Sequence, residues 1–142
     1  MIAPSPKVPR YQVLIDSDAF VGWLYEKDSH HAEASRIFTH LEEKRLVPVV
    51  TSLVVAEAAT VLSHREGQPL ARTFLDLVQR YPVIHITKPL QQHALDLFQA
   101  QPARGTSVTD CANVVVMRQY RIPTIFSFDK VYPKTFGLKP AA

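Results

Sequence analysis

A chain of 142 residues with 46% apolar and 20% charged side chains is long enough for one buried core and reads as a single globular domain. No apolar run approaches the ~20 residues of a membrane span, so no membrane partner is expected. The net charge of +3, with an isoelectric point near 9.1, permits a nucleic-acid partner without requiring one. The single cysteine, Cys111, cannot form an internal disulfide, which fits a cytoplasmic protein; its helical setting points to a buried, inert thiol.

Residues 1–10 carry Pro4, Pro6 and Pro9 and no apolar h-region. They read as a proline-rich arm, not a signal peptide, and leave 11–142 as one domain. Tyr11–Ile15 is an apolar run with valine and isoleucine, read as a first strand, followed by a short helix over Asp18–Tyr25. An amphipathic helix follows over His30–Lys44, with Ala34, Ile37, Phe38 and Leu41 on one face. Leu46–Val50 is a second strand, and Thr51 or Ser52 caps a helix running to about Arg65. Gly67-Gln68-Pro69 ends that helix and starts another, which runs to about Arg80. A third strand spans Val83–Ile86, a helix spans Pro89–Ala100, and Gln101–Thr106 is a loop. Ser107–Tyr120 is a long helix and Thr124–Phe128 a fourth strand; Lys130–Ala142 reads as a loop with one short edge strand. Strands that alternate with helices, and are apolar without polar alternation, indicate an α/β fold whose parallel sheet is covered on both faces. Ligands in such sheets sit at the carboxyl ends of the strands.

Four acidic residues lie beside apolar runs. Asp16 closes Val13-Leu14-Ile15, Glu57 sits in Leu53-Val54-Val55-Ala56-Glu57-Ala58, Asp110 opens the long helix, and Asp129 follows Ile125-Phe126-Ser127-Phe128. A carboxylate at the end of a buried strand costs desolvation energy unless something compensates. Several together repel, and a divalent cation is the usual remedy, which points to Mg²⁺ or Mn²⁺ and phosphate chemistry. Each acid also has a bland role. Asp16 or Asp18 can cap the helix that follows, and Ser107 with Asp110 matches a capping box. Glu57 can pair with Arg65 or Arg72, and Asp129 can begin a turn. The helix around Glu57 is apolar nearly all round and is expected to be buried on more than one side.

The six histidines, His30, His31, His40, His64, His85 and His93, lack zinc-type spacing and read as surface or core residues. With four glycines in the chain there is no phosphate-cradling glycine loop.

The stretches Val13-Leu14-Ile15-Asp16-Ser17-Asp18, Thr51-Ser52 to Glu57, Ser107-Val108-Thr109-Asp110-Cys111-Ala112 with Met117-Arg118, and Ile125-Phe126-Ser127-Phe128-Asp129 with Phe136-Gly137 together resemble the PIN domain family. The closest likeness is to toxin ribonucleases of the VapC type. The order is kept from Tyr11 to Leu138, and the last two motifs are the more specific. The resemblance implies an α/β/α sandwich with a five-stranded parallel sheet and a Mg²⁺- or Mn²⁺-dependent endoribonuclease. It carries the catalytic and metal-binding role onto Asp16, Glu57, Asp110 and Asp129. It makes Ser17 and Thr109 supporting hydrogen-bond donors; Asp18, read from its place beside Asp16, is a cap or a supporting carboxylate. It further implies a homodimer neutralised by a small antitoxin, and products ending in 5′-phosphate and 3′-hydroxyl. RNA would be held by basic side chains, among which Lys44, Arg45, Arg65, Arg72, Arg104 and Lys130 are available. The proline-rich arm and Pro133 depart from the family pattern.

Two other readings stand beside this one. A non-catalytic module of the same fold would bind RNA or protein without cutting. Asp16-Ser17-Asp18 also resembles the Asp-x-Asp start of haloacid-dehalogenase phosphatases, but their further lysine and paired-acid motifs are missing.

Overall fold

The structure is a computed structural model that describes residues 10–141; apart from Arg10, the proline-rich arm lies outside the described residues. Five strands are β1 (Val13–Ile15), β2 (Pro48–Thr51), β3 (Val83–Ile84), β4 (Thr124–Phe126) and β5 (Lys139–Pro140). They form one parallel sheet in the order β3-β2-β1-β4-β5. The helices are α1 (Ser17–Leu24), α2 (His31–Glu43), α3 (Ser52–Glu66), α4 (Gln68–Val78), α5 (Lys88–Gln99), α6 (Val108–Tyr120) and α7 (Val131–Phe136).

Side-chain alternation along each strand divides the core into two layers. Val13, Ile15, Val50 and Phe126 face α1 to α4, where Phe20, Phe38 and Phe74 fill the space. Leu14, Val49 and Ile125 face the other way, onto Val114 and Met117 of α6 and Tyr132 of α7. Strands buried on both faces explain the unbroken apolar runs. The chain steps outward from β1 to β3 with helices on one face, then crosses back to β4 with helices on the other. Right-handed crossovers impose that division. The order therefore reverses between β1 and β4, and a crevice opens at their carboxyl ends.

The expected elements are present; β1 to β4 each lose two residues at one end, and β2 gains Thr51 at the other. The exception is α7, where the sequence reading placed a loop. Pro133 sits in its first turn, where the N–H it lacks has no helical partner anyway. The Asp129 Oδ1 accepts from the Val131 N–H at 2.9 Å, and Gly137 closes the helix at φ 65°. Proline at this point is compatible with a helix, so a helical turn stands where a loop was expected. The short edge strand follows as β5, pairing parallel to β4.

Candidate active site

Asp16 leaves β1 directly into the crevice, and its backbone N–H bonds the Phe126 carbonyl of β4 at 3.0 Å. The side chain is only 5% exposed. Its Oδ1 accepts from the Ser17 N–H at 2.8 Å, capping α1, and from Asn113 Nδ2 at 3.2 Å. Its Oδ2 lies 3.0 Å from Ser127 Oγ and 2.9 Å from the Tyr132 hydroxyl. The capping role and the site role are thus filled by one carboxylate.

Asp110 sits on α6 as the N3 residue of a complete capping box with Ser107. Its Oδ2 serves the box, while Oδ1 points at the Tyr132 hydroxyl, 3.1 Å away. Tyr132 therefore stands between Asp16 and Asp110. Burial, reinforced by the Asp16 and Asp110 charges, pushes its pKa up, so the hydroxyl stays protonated. One proton serves two carboxylates, and Asn113 Nδ2 donates to the same hydroxyl at 3.0 Å. Asn113 is in turn reached by Thr51 Oγ1 at 3.4 Å, at the N-cap of α3.

Ser127 repeats this device between Asp16 and Asp18. Its hydroxyl lies 3.1 Å from Asp18 Oδ2, which also accepts from the Phe128 N–H at 2.9 Å. The other oxygen, Asp18 Oδ1, is buried and has no hydrogen-bond partner among the described residues. Burial, with the Asp18 charge adding to it, pushes the Asp16 carboxyl up to about 7. Burial likewise pushes Asp18 up to about 6, Asp129 adding to the rise and His30 opposing it.

Asp18, Glu57 and Asp129 line an open cleft of about 600 Å³ above this network, together with Lys27, His30 and Arg65. Asp16 and Asp110 do not line it; they are buried and joined to it through Ser127 and Tyr132. Glu57 is exposed. The helix α3 does pack on several sides, against α1, α4 and α6, which accounts for its apolar sequence. The remaining strip of Ala56, Glu57 and Thr60 is open. Arg65 pairs with Asp28 at 3.1 Å, not with Glu57. Thr109 is half-buried and gives no hydrogen bond to these carboxylates among the described residues. Cys111 is buried and free; burial, then Asp110, raises its thiol pKa.

Asn113, Ser127 and Tyr132 escaped the sequence reading, which offers Asp18 as a cap or a supporting carboxylate. Asn113 carried a signal, as a lone amide one turn beyond Asp110 on the same face of an apolar helix. Tyr132 carried none, because it lay in a stretch read as loop.

The carboxylates suit a hard divalent cation, since Asp18 Oδ1 lacks a donor among the described residues and burial makes the Asp16 and Asp18 charges costly without a compensating one. As the side chains stand, no three acidic, histidine or cysteine side chains converge to hold one ion among the described residues. Tyr132 occupies the space between two of the acids.

The sequence profile of the PIN domain family matches residues 13–136. The chain belongs to the PIN domain family. This PIN domain is 28% identical to a VapC ribonuclease of Archaeoglobus fulgidus over 120 residues, 82% of this chain and 76% of that one. It is similar in fold to Mycobacterium tuberculosis VapC20, a sarcin-ricin loop cleaving toxin. That match has a TM-score of 0.78, 22% identity, and coverage of 89% of this chain and 96% of that one. A toxin–antitoxin complex from Klebsiella pneumoniae matches at TM-score 0.65 and 13% identity, over 92% and 98% of the two chains. VapBC2 from Rickettsia felis, bound to a promoter DNA fragment, matches at 0.64 and 14%, over 90% and 96%. Among the described residues, no helix is long and apolar enough to cross a membrane.

Proposed function

We propose that this PIN domain is a metal-dependent endoribonuclease, the toxin of a toxin–antitoxin pair. The observation that carries this reading is the pair of proton-sharing hydroxyls, Ser127 and Tyr132, that ties Asp16 to Asp18 and to Asp110 at the β1–β4 crevice. A carboxylate cluster under an open cleft, in a PIN domain similar to a VapC ribonuclease, favours phosphodiester hydrolysis over a binding role.

Asp16, Asp18, Asp110, Asp129 and Glu57 would hold the cation, Mg²⁺ or Mn²⁺. When bound, it supplies positive charge that stabilises the developing charge at phosphorus and activates water. The protein groups prepare for this. Ser127, shared with Asp18, and Tyr132, shared with Asp110, both hold Asp16 Oδ2 in place. Asn113 fixes the Asp16 carboxylate plane from the opposite side. Lys27 and Arg65 on the cleft wall attract the RNA backbone. Of Lys44, Arg45, Arg65, Arg72, Arg104 and Lys130, Arg65 is the one that lines this cleft. A cytoplasmic homodimer, silenced by an antitoxin segment lying in the cleft, completes the reading.

The test is cleavage of end-labelled RNA by the purified chain in EDTA, Mg²⁺ or Mn²⁺, beside Asp110→Asn. Discrete products that need metal and vanish in the variant are expected. RNA binding without cleavage under every metal would favour the non-catalytic module.

A further inference from the structure

Phe128 lies between two site residues, Ser127 and Asp129, and its N–H is bonded to Asp18 Oδ2. Its ring stands edge-on to Phe126 at 5.9 Å, and Phe126 packs on Phe38 in the core, so the Phe128 plane is anchored from below. The His30 ring lies flat on Phe128, with centroids 4.2 Å apart and planes inclined by 4°. His30 is exposed, so the stack ends in an open aromatic face on the cleft wall.

One carboxylate braces that face. Asp28 Oδ1 accepts from the His30 N–H at 2.8 Å, and its Oδ2 holds Arg65 Nη1 at 3.1 Å. Asp28 itself is 13% exposed, whereas the Arg65 side chain is 52% exposed and keeps further N–H groups for a ligand. A rigid aromatic face, a fixed guanidinium and a carboxylate cluster thus share one cleft. A planar base with a phosphate on either side presents the complementary groups. In a duplex both faces of a base are covered, so only an unstacked nucleotide can use such a face.

We propose that the His30–Phe128 stack is a nucleobase platform. It captures one unpaired base of single-stranded RNA beside the cleavage point, with Arg65 on that nucleotide's phosphate. This deepens the ribonuclease reading and rests on RNA being the ligand. Stacking selects for an extruded base with little regard to its hydrogen-bonding edge, and purines, with the larger face, bind more tightly.

The probe is a set of short single-stranded oligoribonucleotides with 2-aminopurine at each position in turn, bound by full-length Asp110→Asn protein in Mg²⁺. Quenching at one position is expected. His30→Ala should weaken binding about 10-fold and abolish the quenching, since a stacked base contributes ~1–3 kcal/mol. His30→Tyr should restore both. Arg65→Ala should weaken binding and flatten its salt dependence, but leave quenching at saturation intact. The His30 side chain makes no capping bond to α2, so His30→Ala should fold, and thermal melting checks this.

With cleaving protein, an abasic substitution at the quenched position should raise KM for wild type and leave His30→Ala unaffected. Equal binding and quenching by wild type and His30→Ala overturns the platform even if RNA is cut. His30-dependent quenching in a protein that cuts no RNA supports the platform and removes the nuclease reading instead.

Discussion

At Asp16, four hydrogen-bond donors surround one buried carboxylate whose pKa is still raised to about 7. Desolvation and the Asp18 charge outweigh the donors. A folded-state pKa above the unfolded value of 3.8 means that the proton is held more tightly in the folded protein. Stability from this group is fully present below the unfolded pKa and is lost as pH rises through about 7. In the absence of metal, Asp16→Asn should therefore stabilise the fold by ~2 kcal/mol near neutral pH and above. The gain should shrink as pH falls toward the unfolded pKa. Thermal melts of both proteins in EDTA across pH test this, and a pH-independent difference would contradict it. Because a cation must displace these protons, Mn²⁺ affinity measured calorimetrically should fall as pH drops through the Asp16 and Asp18 range of about 7 to about 6. Tyr132→Phe removes a buried donor shared by two acids. Its cost of ~1–2 kcal/mol in metal-free protein should diminish when Mn²⁺ is added, because the ion offsets the lost donor.

The elements hold these groups through their ends. Thr51 terminates β2, caps α3 by accepting from the Val54 N–H at 3.2 Å, and reaches Asn113 with the same hydroxyl oxygen. Thr51→Ala should cost ~1–2 kcal/mol by denaturant titration, and Thr51→Ser should recover most of it. The capping box at α6 fixes Asp110, and α7 brings Tyr132 beneath the crevice. The chain leaves α7 at Gly137, in the left-handed region where other residues are strained. The helices and apolar strands were legible because their periodicities follow from which face is buried. The helix α7 was not, since six residues carry too little periodicity, and Pro133 reads as a breaker unless its place in the first turn is known.

For the molecule as a whole, the charge of +3 is small, so under the proposed function RNA attraction would rest on Lys27 and Arg65 in a cleft also lined by acids. RNA affinity should fall with rising salt, with a slope matching only a few phosphate contacts, and Arg65→Ala should lower that slope by about one. The sequence alone determined the layered α/β architecture, because strands buried on both faces must be apolar throughout. It also placed Asp16 and Asp129 at strand ends, and marked Glu57 and Asp110 by their apolar surroundings. Only the tertiary structure decided how these acids relate. The reversal of strand order set β1 beside β4, so that Ser127 came against Asp16 and Asp18 from across the sheet. It turned Glu57 outward, seated Tyr132 between Asp16 and Asp110, and laid His30 on Phe128. Contacts between residues far apart in the chain leave no local period in a sequence; they exist only once the sheet has closed.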